Sequence, residues 1–430
     1  MFTMTTSRQA LFERLLIAAL AVAFMTTLPV FLYRAINDTG GTDFPEFHDA
    51  GRYVLDHAAR QPDSILHRYL PSVDVAWALF GWLPLPAAAT IYYVFSFLTW
   101  AGLLNAIGRY LLPATPVQDR RIVLLAAALL ALVFTIDHLL LGAFHLLMLW
   151  LMVAGLGRVM RGQGATGSVL LGLAVWLKLL PLLGVGYLLV RRKRLAALAS
   201  VGVALLLNMT ISLAAYGPQA AWSAHVRWWH TRAVGDLNTI LTAEKFTAQQ
   251  RDRNQSTAAV LRRLLRPTPP VPPEVELPQV SVANLTPRQL KVAYYGTAAI
   301  LVGALLWTWR RSAAAAKPPQ IAAEIALAAL ATMWFSPIVF SYHPTAALPA
   351  LAVILGSRWE RSRLKILTLA VWLLATALLA FPHARAAGEV LWASLLLGLT
   401  VGVIAETAGR TAQTHTAATD AANNGAAPPG

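Results

Sequence analysis

The chain has 430 residues, of which 57% are hydrophobic and 13% charged, and its mean hydropathy is +0.56. Soluble domains carry about 25% charged residues, so a soluble globular fold is excluded, and the absence of cysteine rules out disulfides, thiolate zinc sites and a cysteine nucleophile. The formal net charge of +15 does not imply nucleic acid as a partner, because many of the basic residues flank apolar runs, where the positive-inside rule places them.

Uncharged windows of roughly 20 residues can cross a hydrocarbon core of ~30 Å, and a backbone in lipid must bond to itself, so these windows predict helices. They lie near 15–33, 86–108, 121–137, 139–157, 195–216, 290–309, 320–340, 343–357, 366–382 and 387–406, which predicts an all-α polytopic membrane protein with about ten spans. The first run is too long for a signal peptide and no small-residue cleavage site follows it, so it reads as a retained span. Arg109, Arg120 and Arg121 form one basic cluster, and Arg191, Arg192, Lys193 and Arg194 a second. Arg310, Arg311 and Lys317 form a third, and Arg358, Arg361, Arg363 and Lys365 a fourth. Placing all four in the cytoplasm puts both termini inside and two hydrophilic loops, 34–73 and 217–288, outside.

Arg158 and Arg161 are then cytoplasmic too, so residues 165–190 must leave and return on one side. The segment is interrupted at Lys178-Leu-Leu-Pro181. Proline removes a helix hydrogen bond and clashes with the preceding turn, which predicts a re-entrant pair of half-helices; one kinked span is the alternative. In the second outer loop, Pro267 to Pro273 reads as a stiff polyproline spacer. Residues 1–406 form the membrane domain, and the Ala/Thr/Asn/Gly-rich stretch 407–430 reads as a disordered tail.

Chemistry concentrates in a few places. Asp43, Glu46, His48 and Asp49 gather carboxylates and an imidazole in the first outer loop, a candidate acid–base cluster for activating a sugar hydroxyl. Asp43 and Glu46 share a face if this piece is helical. Lys178 is costly inside an apolar stretch unless it snorkels or finds a partner such as a phosphate. Asn254 and Gln255 suit sugar hydroxyls, and the basic amphipathic stretch through Arg262 and Arg263 suits lipid phosphates. Trp222, Trp228 and Trp229 read as interfacial anchors, with stacking on sugar rings as the alternative. His343, between Pro337 and Pro344, reads either as a group beside a leaving phosphate or as part of a helix break. Asp137-His138 reads as a tight outer turn. No nucleotide-binding or HExxH spacing occurs.

These pieces resemble glycosyltransferase family 87, the polyprenol-phosphate-mannose-dependent mannosyltransferases of the C-type membrane superfamily. The resemblance rests on Asp43-Phe44 with Ala50 and Tyr53, Tyr69-Leu70-Pro71 with Leu83-Pro84-Leu85-Pro86, and Lys178-Leu-Leu-Pro181 before a basic cluster. Asn254-Gln255-Ser256 and Ser336-Pro337 with His343 follow in the family's order. One departure is Gly142-Ala143-Phe144-His145, where the family carries a Gly-Gln-x-Asn pattern.

The resemblance implies an inverting transfer of a sugar, most often mannose, from a polyprenyl-phosphate donor to a lipid or glycan acceptor. It implies Asp43 as general base, with Lys178, Arg262 and Arg263 on the donor phosphate and His343 beside the leaving group. Glu46, His48, Asp49, Tyr69, Asn254 and Gln255 would then meet sugar or acceptor. No cofactor or metal is expected. The expected location is a bacterial inner membrane with the site facing outward, in cell-envelope glycolipid synthesis. A transporter or lipid flippase is the rival reading; it predicts more carboxylates within the spans than Glu324 and Glu389 supply.

Overall fold

The computed structural model describes residues 6–37, 42–57, 69–244, 251–268, 278–311, 317–357 and 362–424. Among them every regular element is a helix, as a hydrocarbon environment requires. In chain order these are α1 (Thr6–Asn37), α2 (Phe44–His57), α3 (Pro71–Ala76), α4 (Ala78–Gly81), α5 (Leu85–Tyr110), α6 (Val117–Leu130) and α7 (Leu132–Leu141). Next come α8 (His145–Met160), α9 (Gly164–Leu177), α10 (Leu182–Val190), α11 (Arg194–Tyr216), α12 (Pro218–Trp228), α13 (Gly235–Thr242) and α14 (Thr257–Leu265). The last are α15 (Pro287–Arg311), α16 (Pro318–Phe335), α17 (Leu348–Gly356), α18 (Ser362–Leu378), α19 (Pro382–Ala387) and α20 (Glu389–Asn424).

Among the described residues, five helices are long and apolar enough to cross a membrane, and six if α6 and α7, bent by 63° at Ala131, count as one. Ten were expected. Each predicted window is largely helical, but α8, α17 and α18 are shorter than a full crossing demands at 1.5 Å per residue. Beyond residue 406, α20 continues through an alanine-rich stretch to Asn424, as alanine's helix propensity favours. Part of the polyproline stretch, 269–273, lies outside the described residues.

Glycine contacts fix the direction of the central helices. A Cβ added to Gly155 would strike Gly167 and Leu171, so α8 and α9 lie backbone to backbone. Gly172 of α9 meets Ser200 and Val203 of α11. Four residues further on, Trp176 Nε1 donates to Ser72 Oγ at 2.8 Å, which donates to Asn208 Oδ1 at 2.5 Å. Position 172 is therefore level with 200–203 and position 176 with 208, so α9 and α11 run parallel. Gly164 and Arg194 thus lie at the same end of the bundle. The chain turns back at Lys178, and α10 returns it.

That shared end is basic. Arg158 Nε donates to the Tyr110 hydroxyl at 3.2 Å, and the Arg161 guanidinium sits 4.9 Å over the Tyr110 ring. Gly108 packs on Leu124 and Arg120, and Gly356 on Leu112 and Val123. Basic residues from the loops 109–121, 158–161 and 191–194 therefore gather at one end, and Lys178 marks the other.

Candidate active site

Asp43 leads the chain into α2. Its carbonyl accepts from Phe47 N–H at 3.2 Å, and its own N–H donates to the carbonyl of Leu141, the last residue of α7, at 2.6 Å. Gly142 ends α7 in the left-handed region at φ +69°, and a Cβ there would lie 2.7 Å from Phe44 Cβ. Only glycine allows both the turn and the approach of Phe44. Aromatic packing fixes α2 above it: Phe47 stacks on Trp77 at 4.6 Å and Phe44 on Tyr92 at 4.8 Å.

This packing separates the acidic residues of the first loop. Phe44, Phe47 and His48 are buried, Asp43 is half-buried, and Glu46 and Asp49 are exposed. Asp43 lies just before the helix rather than within it, and is half-buried where Glu46 is exposed. His48 Nε2 lies 3.0 Å from the Leu83 carbonyl, which ties α2 to the turn before α5. Tyr69 packs on Phe144 at 4.3 Å and on Phe47 at 5.8 Å.

Lys178 follows α9 with extended backbone (φ −157°, ψ 137°). Its Nζ lies 3.0 Å from His343 Nε2, a pairing across 165 residues of sequence. His343 Nδ1 accepts from Phe340 N–H at 3.0 Å. Asp43 lies within electrostatic range of Lys178. Three residues from the first loop, the helix break and the segment after α16 thus gather at the end opposite the basic clusters.

The same place holds residues that sequence reasoning gave another role or missed. Asp137 was expected in a tight turn with His138. Instead α7 runs through both, carried on by Leu139-Leu-Leu141, and the turn falls at Gly142–Phe144. Asp137 accepts from Ser341 Oγ, and Arg34 and Arg253 lie within its electrostatic range. His138 and His145 are buried beside them. Polar residues within an apolar helix were the available signal, but their convergence depends on contacts between distant segments.

The second loop is occupied differently from expectation. Asn254 Oδ1 accepts from Val339 N–H at 2.9 Å and from Ser256 N–H at 3.1 Å, and Gln255 N–H donates to the Val339 carbonyl at 2.7 Å. Gln255 Nε2 donates to the carbonyls of Asp252 and Arg385. The amides expected to meet a sugar hold the segment that leads to His343.

Arg262 and Arg263 are likewise not open cations. Arg263, 1% exposed, donates to the carbonyls of Ala386, Asn254 and Arg251 at 2.8–3.0 Å, and Arg262 to those of Arg266 and Pro267. Burial pushes both guanidinium groups down to about 10, so they stay charged at neutral pH while bonded to backbone. The expectation that they hold the donor phosphate is corrected on this geometry: α14 buries them to anchor the loop. Trp222 and Trp229 are exposed, whereas Trp228 is buried.

Among the described residues no group of three or more His, Asp or Glu is placed to hold a metal ion. The apolar helical bundle and a carboxylate, a lysine and a histidine drawn to one end define a polytopic membrane protein with a polar site at one membrane face. The model of glycosyltransferase family 87 matches residues 69–337, and the chain belongs to that family; it is a membrane glycosyltransferase. Lys178, Asn254 and Gln255 fall within the match, while Asp43 and His343 lie outside it. No curated protein matches the chain.

Proposed function

We propose that the protein transfers a sugar, mannose in the first instance, from a polyprenyl-phosphate donor to a lipid or glycan hydroxyl at the outer membrane face, with inversion. The observation that carries this reading is the meeting of Asp43, Lys178 and His343 at the end away from the basic clusters. Asp43 takes the proton of the acceptor hydroxyl as its oxygen attacks the anomeric carbon. The bond from that carbon to the phosphate oxygen breaks, and polyprenyl phosphate leaves with the electron pair. The Lys178 ammonium, with the His343 imidazole beside it, is a donor suited to an anionic oxygen. Incubation with radiolabelled polyprenyl-phosphate-mannose and membrane lipids tests the reading. Label moving to a new lipid or glycan supports it, and binding without transfer returns the transporter.

Two further results are expected. Lys178→Ala should weaken donor binding about 10–100-fold, the equivalent of one charge-assisted hydrogen bond of ~1.5–3 kcal/mol. Unchanged affinity in the folded variant would leave snorkelling as the account of Lys178. Orientation is checked by labelling, for which the native chain offers no competing thiol. In intact cells, Asp49→Cys should react with an impermeant thiol reagent and Gln163→Cys should not, since both positions are exposed but at opposite ends. The reverse pattern would place the site inside.

A further inference from the structure

We propose that His138 and His145 form a neutral imidazole pair that binds hydroxyl groups of the transferred sugar and so selects it. This rests on the reading of the Lys178–His343 end as the donor site. The two rings are 1% and 3% exposed; among the described residues neither nitrogen of His138 has a hydrogen-bond partner, and the His145 ring has only the His343 backbone within reach. The His145 ring centroid is 4.9 Å from that of His343, and both imidazoles lie within electrostatic range of Lys178. The unsatisfied groups therefore surround the proposed phosphate contact.

Their chemistry narrows the ligand. Charging either ring beside a buried ammonium is unfavourable, so both are neutral. A neutral imidazole offers one N–H donor and one lone pair. A phosphate oxygen only accepts, and would leave both lone pairs unmatched. A hydroxyl donates and accepts, so a polyol satisfies the nitrogens left open. The rings are also held in register with Asp43: His138 lies in the last turn of α7 and His145 opens α8. The carbonyl of Leu141 between them binds Asp43 N–H.

A site with buried groups waiting for a hydroxyl discriminates strongly against an analogue that lacks it, by up to ~10⁴–10⁵-fold. The test uses the full-length protein and polyprenyl-phosphate-mannose alongside its 2-, 3-, 4- and 6-deoxy forms. In the native enzyme at least one deoxy donor should lose ~10²-fold or more in kcat/KM. His145→Phe and His138→Phe should lower kcat/KM for the complete donor and bring the ratio for that deoxy donor close to one. Thermal stability should not fall, because phenylalanine fills the space without unpaired nitrogens. A purely structural role would leave the selectivity ratio unmoved. If a Phe variant does not fold, His145→Asn should change which deoxy donor is discriminated. Transfer with native selectivity in the variants overturns the imidazole pair alone. Absence of transfer from any polyprenyl-phosphate sugar overturns the functional reading and this inference with it.

Discussion

Asp43→Asn is expected to lower the transfer rate by roughly 10²–10⁴-fold, the range of a lost general base, with donor affinity almost unchanged. The substitution preserves size and the backbone bonds to Leu141 and Phe47, so α2 should stay in place while the proton acceptor is removed. Glu46→Gln and Asp49→Asn are the controls. Both carboxylates are exposed on α2, and each substitution should cost little. Asp137 is the informative rival, since it sits at the same end but accepts from Ser341 Oγ. Single-turnover transfer with pre-bound donor separates the cases. Loss in Asp137→Asn with near-normal transfer in Asp43→Asn would move the base to α7. Activity in both variants would remove the catalytic reading of this region.

Much of the bundle is legible in the sequence because burial in lipid is a composition rule. Windows without charge gave helices, and clusters of arginine marked one end. The interruption at Lys178-Leu-Leu-Pro181 located the place where the chain turns back, since proline removes a helix hydrogen bond and favours a break there. Span lengths were less legible. Hydropathy sums over a window, whereas Ala131 bends α6 away from α7 and Gly142 ends α7 by backbone conformation alone. Asp43, Lys178 and His343 stood out because each breaks a local pattern. The roles of Arg262 and Arg263 could not be read this way. An arginine that binds phosphate and one that gathers backbone carbonyls look alike in sequence; for Arg263 the difference is made by the fold of the loop at 251–254 and by residues 385–386, more than a hundred positions away, and for Arg262 by the turn at Arg266 and Pro267. His138 and His145 were hidden for the converse reason, because histidine near a turn is ordinary until both rings prove buried.

Glu324→Leu is expected to destabilise the protein by about 3–5 kcal/mol, the cost of leaving one member of a buried ion pair without its partner. Arg191 follows α10 and meets Glu324 of α16 through two contacts: Nε to Oε2 at 2.9 Å, and Nη2 to Oε1. The two side chains are 3% and 0% exposed, and Gln320 Nε2 adds a contact to Oε1 at 3.3 Å. This pair lies at the basic end, yet it bears on the site, because α10 begins just after Lys178 and α16 leads into the segment that carries His343. Tying α10 to α16 fixes the two elements whose far ends bring Lys178 and His343 to 3.0 Å. The single variant should therefore lose thermal stability in detergent and, at temperatures where it remains folded, show a raised KM for the donor with a smaller change in kcat. The double variant Arg191→Met, Glu324→Leu removes both charges and fills the space with apolar groups, which is often neutral or stabilising. It should recover most of the melting temperature. A single variant as stable as the native protein would show that the ion pair is not what holds α10 to α16. Recovery of stability in the double variant without recovery of KM would mean that the charges themselves, and not only the packing, set the spacing of Lys178 and His343.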